Sequence, residues 1–343
     1  MLNKRHTGKV LCFGELLFRL GLDVGGQWLV ENNVPMFIGG AELNVATALA
    51  LWDVPTSYVT ALPDNNLSTQ IINYLEQKNI DTSKIYRHGN RMGLYYLTKG
   101  ADLKNDSLIY DRAGSAFAGL KQGMIDWDQV FEGISWLHFS AICPALNQNV
   151  ADVCKEALIA ASEKGIITSI DLNYRSKLWQ YGKQPIEVIP ALVEYCDVIM
   201  GNIWAAEIML GIPVADDIHQ IGEKDNYLSA AAKTSEYITE KYPKCQAVAN
   251  TFRFDKDGGI NYYTALYTAG RHYNTEDHAA AAIINKVGSG DCFMAGLIYG
   301  FYKGHDPEEI LQFATLAAFN KLFIDGDATT MTINEIKNSS IKV

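Results

Sequence analysis

The chain has 343 residues, 48% apolar and 20% charged, and its 29 Lys+Arg against 39 Asp+Glu leave a formal charge of −10. This composition excludes a disordered chain, and the length suits one large α/β domain or two modest ones. So acidic a surface repels phosphate backbones and anionic lipid, which argues against nucleic-acid or membrane-surface binding and requires that an anionic substrate meet a local basic pocket.

Residues 10–13, Val-Leu-Cys-Phe, predict a first strand. Gly14-Glu15 ends this run too early for a signal peptide, and no apolar run approaches the about 18 residues that span a bilayer. Residues 16–37 hold strand-like pieces with no helix between them. Val45, Leu49 and Trp52 predict a helix over 41–52, a strand follows at 57–61, and the next helix sets Leu67, Ile71, Tyr74 and Leu75 on one face. Residues 93–98 and 107–112 read as two strands joined by a polar turn around Lys104-Asn105-Asp106. Strands at 134–139, 166–171, 198–200 and 246–249 then alternate with helices at 150–164 and 230–241. Two apolar helices, 292–301 and 308–323, close the chain, the second with an acidic start at Glu308-Glu309 that suits the helix dipole. Such alternation implies a mostly parallel sheet covered on both faces. The segments 16–37 and 93–112 break that rhythm. They are expected to form a small antiparallel sheet, a lid over the crevice at the C-terminal edge of the main sheet, within a single domain of residues 1–343.

The six cysteines, Cys12, Cys143, Cys154, Cys196, Cys245 and Cys292, contain no C-x-x-C pair and sit in apolar runs. They read as reduced, buried side chains of a cytoplasmic protein. The seven histidines show no metal-binding spacing, and the Met and Trp residues read as core.

The strongest chemical signal is Gly288-Ser289-Gly290-Asp291 ahead of an apolar helix. Permissive glycines and the free N–H groups of a helix start make an anion hole, and Asp291 beside it would accept a proton from a hydroxyl attacking phosphorus. An Asp there serves equally well as a plain helix cap. Gly39-Gly40, before a helix carrying Asn44 in its first turn, leaves backbone open to a small ligand, or is an ordinary turn. Tyr110 and Arg112 would share one face of a lid strand, with Asp111 pointing away. Arg175 follows a buried strand, at the end where open α/β sheets bind ligands. Each arginine alone reads as a surface ion pair; two beside one crevice favour an acidic substrate.

Taken together and in this order, these motifs resemble the ribokinase-like, or phosphofructokinase-B, family of carbohydrate kinases. With Tyr110-Asp111-Arg112-Ala113-Gly114-Ser115-Ala116, Asp171-Leu172-Asn173-Tyr174-Arg175, Leu178-Trp179 and Gly326-Asp327, the chain is most similar to the members that act on 2-dehydro-3-deoxy sugar acids. The resemblance runs from residue 10 to about residue 330. It implies a three-layer α/β/α sandwich with a β-sheet lid, and transfer of a phosphoryl group from ATP with Mg²⁺ to the terminal hydroxyl of 2-dehydro-3-deoxygluconate. It implies Asp291 as base and Gly288, Ser289 and Gly290 as anion hole. Gly39, Gly40, Asn44, Tyr95, Tyr110, Arg112 and Arg175 are implied around the sugar, and Asn202 and Thr251 near the nucleotide. It also implies pairing of lid sheets in a homodimer or larger assembly. The chain departs from the family where many members carry Asp-Thr, here Asn285-Lys286. It departs again at Ala205, where the family has Glu, and at Arg253, where it has Gly. A neutral-sugar kinase and a non-catalytic sugar sensor remain as alternatives.

Overall fold

The computed structural model describes residues 2, 5–22, 33–98, 108–215, 218, 223–256 and 259–339; the polar turn around Lys104 lies outside them. Among the described residues the main sheet has ten strands. Seven are parallel, with β6 (Ile80–Asp81), β4 (Thr56–Val59), β1 (Lys9–Phe13), β10 (Ile134–Ser140), β11 (Ile167–Asp171), β12 (Val198–Met200) and β13 (Ala247–Lys256) in spatial order. The edge beyond β13 is antiparallel: β14 (Gly259–Thr268) pairs with β13, β15 (Arg271–Asn274) and β16 (His278–Ala280). The sequence reading missed this edge by ending its strand at residue 249. Short β5 (Ala61–Leu62) and β7 (Tyr86–Arg87) pair separately.

Among the described residues the helices of eight residues or more are α1 (Ala41–Leu51), α2 (Asn66–Glu76), α3 (Gln148–Glu163), α4 (Ile203–Leu210), α5 (Lys224–Lys241), α6 (Ser289–Lys303) and α7 (Pro307–Lys321). Side chains alternate across β1: Val10 and Cys12 enter the core shared with α1, α6 and α7, while Leu11 and Phe13 enter the core shared with α3. That alternation makes the sandwich, with helices on both faces. On α2 the buried face is Ser68, Ile71 and Leu75; Leu67 and Tyr74, expected inside, are exposed. Helix α6 is buried at 13 of its 15 positions, and Gly296 and Gly300 let α7 approach so closely that a Cβ at either would stand 2.5–2.7 Å from Ala314 or Ile310. This packing fixes where the N-terminus of α6 points. All six cysteines are buried free thiols.

The lid is a separate four-stranded sheet in the order β3 (Met36–Gly39), β2 (Leu17–Leu22), β8 (Gly93–Thr98), β9 (Ile109–Asp111). It is mixed, not antiparallel as expected: its central pair β2–β8 is parallel, because both strands leave the main sheet in the same direction from separate insertions.

Candidate active site

A cavity of about 520 Å³ lies between the lid and the C-terminal ends of β1, β11 and β12. Of the thirteen residues expected at the site, twelve line it: Gly40, Asn44, Tyr95, Tyr110, Arg112, Arg175, Asn202, Thr251, Gly288, Ser289, Gly290 and Asp291. Gly39 does not. It ends β3 behind the wall, where a Cβ would fall 2.6 Å from Asp327 Oδ2. The N-termini of α1, α4 and α6 all open on the cavity. Their unpaired N–H groups give an acidic protein a local field that attracts anions.

Asp291 is not a cap. Gly288 (φ 78°) is the N-cap of α6, and a Cβ there would collide with the Asp327 carbonyl. Asp291 is the third helical residue, buried, and accepts a hydrogen bond from Asn44 Nδ2 at 2.7 Å. Burial raises its carboxyl to about 8; the Asn44 bond opposes this, the Asp171 and Glu42 charges add to it, and Arg175 opposes it. Asp171, ending β11, is raised to about 6 by burial. Glu42 is buried beneath, accepting from Ser140 N and Oγ at 2.9 and 2.5 Å, and Gly14 leaves room for its carboxylate. The Ser289 hydroxyl donates to Ala318 O at 2.9 Å, so that residue offers the cavity its backbone N–H.

The two arginines part company. Arg112 is buried, and its Nε donates to Glu15 Oε2 at 2.6 Å; Ser115 Oγ donates to the other oxygen at 2.5 Å. Its charge is therefore met by the protein, which corrects the expectation of two inward arginines awaiting a substrate. Glu15, just past β1, was read only as an interruption; an acid at the C-terminal end of a buried parallel strand is the signal that would have found it. Arg175 has no carboxylate within ion-pairing distance among the described residues, and its Nη1 donates to Tyr174 O at 3.0 Å.

The residues expected near the nucleotide take different roles from one another. Asn202 caps α4, its Oδ1 accepting from Ala205 N at 2.8 Å. Ala205, Trp204, Arg253 and Lys286 line the cavity with Thr251; Trp204 was expected in the core. Lys286 pairs with Asp255 at 2.8 Å, and the Asn285 amide donates to Asp325 O at 2.7 Å. Among the described residues no group of three His, Cys, Asp or Glu is arranged to hold a metal ion.

On the lid, Tyr110 faces the cavity beside Tyr95, ring centres 6.1 Å apart. Asp111 points away, paired at the surface with Arg91 at 2.8 Å. Exposed pairs contribute at most about 1 kcal/mol, so Asp111→Ala should change kcat/KM less than about fivefold. Tyr110→Ala, which removes a wall of the cavity, should lower kcat/KM by at least about tenfold through lost positioning. Steady-state kinetics of the two variants check this; equal losses would contradict the assignment of strand faces.

A profile of the pfkB family carbohydrate kinases matches residues 7–240 and 261–322. The 2-dehydro-3-deoxygalactonokinase of Haloferax volcanii is 24% identical over 340 residues, which cover 96% of each chain. The crystal structure of 2-dehydro-3-deoxygluconokinase from Thermotoga maritima matches with a TM-score of 0.85 at 33% identity, covering 96% of this chain and 98% of that one. A PfkB family carbohydrate kinase from Listeria grayi matches at 0.82 and 30%, with the same coverage of 96% and 98%.

Proposed function

The chain belongs to the pfkB family of carbohydrate kinases, and from that premise we propose that it phosphorylates 2-dehydro-3-deoxy-D-gluconate at the terminal hydroxyl, giving 2-dehydro-3-deoxy-6-phosphogluconate and ADP. The observation that carries the choice of an acid is Arg175, a cation on the cavity wall with no carboxylate partner among the described residues. A substrate carboxylate supplies that partner with a charge-assisted hydrogen bond; a neutral sugar leaves the cation only the longer-range charges of Asp171 and Asp291, neither within ion-pairing distance. The names of the Thermotoga and Haloferax relatives support the same substrate class.

In this reading the sugar lies under the lid between Tyr95, Tyr110 and Asn44, with Gly39 and Gly40 shaping the turn behind it. Arg112, locked by Glu15, presents its plane and packing, not an unmet charge. The terminal hydroxyl stands against Asp291. As its oxygen bonds to the γ-phosphorus, the bond to the β–γ bridging oxygen breaks, and Asp291 takes the proton. The amides of Gly288, Ser289 and Gly290 hold the transferring group, charge they meet more strongly in the transition state than before it. ATP enters from the side of Asn202, Thr251 and Trp204. Mg²⁺, if carried by the ATP phosphates, would offset their charge; among the described residues no group of three His, Cys, Asp or Glu is arranged to hold it.

A coupled assay of ADP release against a panel of sugar acids and neutral sugars tests the reading. The acids should lead by about tenfold or more in kcat/KM, the value of one charged contact; fructose or ribose leading would replace the acid with a neutral substrate. Free buried thiols, and no helix among the described residues long and apolar enough to cross a membrane, fit a cytoplasmic location. For a partner we favour a second copy at the lid edge. Strands β3 and β9 are its outer strands, and Met36 and Ile109 on them are both 57% exposed. Sedimentation should give a dimer that Ile109→Lys dissociates; a monomeric wild-type protein would remove this partner.

A further inference from the structure

Lys321 is fully buried at the last position of α7 and plays no part in the chemistry above. Its ammonium, with three donors, makes one hydrogen bond among the described residues, to Ile324 O at 3.0 Å. Its neighbours explain its place. The last turn of α7 and the residues after it are the platform on which the anion-hole loop rests: Ala318 O accepts from Ser289 Oγ, Leu322 O accepts from the Ile284 and Asn285 N–H groups, and Asp325 O accepts from Asn285. Asp327 O presses on Gly288, and Lys321 Cε stands 3.4 Å from where a Cβ on Gly288 would be. The loop that must receive an anion thus sits on carbonyl oxygens and on the negative end of the α7 dipole. The Asp291 carboxylate, once ionised, adds to that field, whereas the Asp327 carboxylate is already paired with Arg19 at 2.6 Å. Left uncompensated, it would oppose a phosphoryl group at the Gly288–Gly290 amides.

We propose that Lys321 is a positioning residue for phosphoryl transfer: its buried ammonium is the fixed cation beneath the anion hole, holding the 322–327 platform against Gly288 and cancelling the negative field of α7 where the transferring charge develops. This rests on the reading of Gly288–Gly290 as the phosphoryl cradle. A charge felt where negative charge grows lowers the barrier more than it tightens ground-state binding.

The test uses Lys321→Met, which keeps the length and apolar stem, and Lys321→Ala, which leaves a space, assayed with whichever sugar the wild-type enzyme phosphorylates best. Lys321→Met should fold, since the ammonium has no carboxylate within ion-pairing distance among the described residues and burial disfavours its charge, so an apolar side chain of similar length leaves no buried charge bereft of a direct partner. Its kcat should fall by about tenfold or more, with sugar KM within about threefold, the split expected of a transition-state effect. Lys321→Ala should lose as much and regain part of it with added ethylammonium, but not with tetramethylammonium at equal ionic strength, and neither salt should accelerate the wild type. Wild-type kcat in Lys321→Met overturns the proposal. So does a loss in kcat with no ethylammonium rescue, or failure of both variants to fold, either of which makes Lys321 a structural residue. Absence of sugar-dependent ATP turnover in the wild-type protein is a separate result, and it overturns the kinase reading instead.

Discussion

Asp291→Asn should lower kcat by about 10²–10⁴-fold, the usual cost of removing a general base. The substitution keeps the shape of the side chain and a hydrogen bond with Asn44, so sugar and nucleotide binding should persist, measurable by calorimetry. The same variant has a second, opposite signature. The wild-type carboxyl titrates near about 8 in the folded protein because it is buried, against about 3.9 in an unfolded chain. Between those values the native state binds more protons than the unfolded one. Stability conferred by protonated Asp291 is therefore lost as pH rises through that window. The asparagine variant does not titrate, so its melting temperature should exceed that of wild type by a margin that widens from about pH 5 to about pH 8. Activity follows the other sign. The base works only after losing its proton, so wild-type kcat/KM should climb with pH until about 8 and then level. A variant that retains more than half of wild-type kcat, or a stability gap that narrows as pH rises, would contradict the role given to this residue.

Arg175→Ala should weaken use of the sugar acid far more than use of ATP. A hydrogen bond to a charged group contributes about 1.5–3 kcal/mol, which is about 10- to 150-fold in kcat/KM. Arg112→Ala should behave differently, because its partner is Glu15 at 2.6 Å and not the ligand. It leaves a buried carboxylate unpaired, so loss of folding stability should accompany any loss of activity. Melting temperatures and separate KM values for the two substrates distinguish these outcomes. An unchanged sugar-acid KM in Arg175→Ala would remove the reason for calling the substrate an acid.

The parallel half of the fold was legible because its strands are short apolar runs between helical periods, as at residues 198–200, where expected and observed strand coincide. The antiparallel edge was not, although the alternation of Phe252 and Phe254 with Arg253 and Asp255 has strand period, and Asp257-Gly258-Gly259 is a hairpin signal. Charged residues within the run hid a strand whose one face is wet. Similarly, Leu67 and Tyr74 pass for core by helical spacing, but α2 lies at the surface and buries a narrower stripe than its apolar residues would allow. At the site, single-residue chemistry was readable and pairing was not. Asp291 and Asn44 could be picked out one at a time, yet 247 positions separate them and only the sandwich brings them to 2.7 Å. Arg112 and Glu15 are separated by 97 positions and meet only because the lid folds back over β1. A sequence shows that an arginine is present; whether its charge is already met depends on contacts that the fold alone creates.

With Asp291 as base, transfer of the γ-phosphoryl group of ATP to the terminal hydroxyl of a 2-dehydro-3-deoxy sugar acid should stop when that carboxylate is removed. Phosphorus NMR of the products from 2-dehydro-3-deoxy-D-gluconate and ATP, run with wild type and Asp291→Asn side by side, tests it most directly. The wild-type protein should form a single phosphate monoester on the terminal carbon, one for one with ADP, and the variant should form barely detectable product over the same time. A phosphate on another hydroxyl, ADP without an ester, or product from Asp291→Asn at more than half the wild-type rate would contradict it.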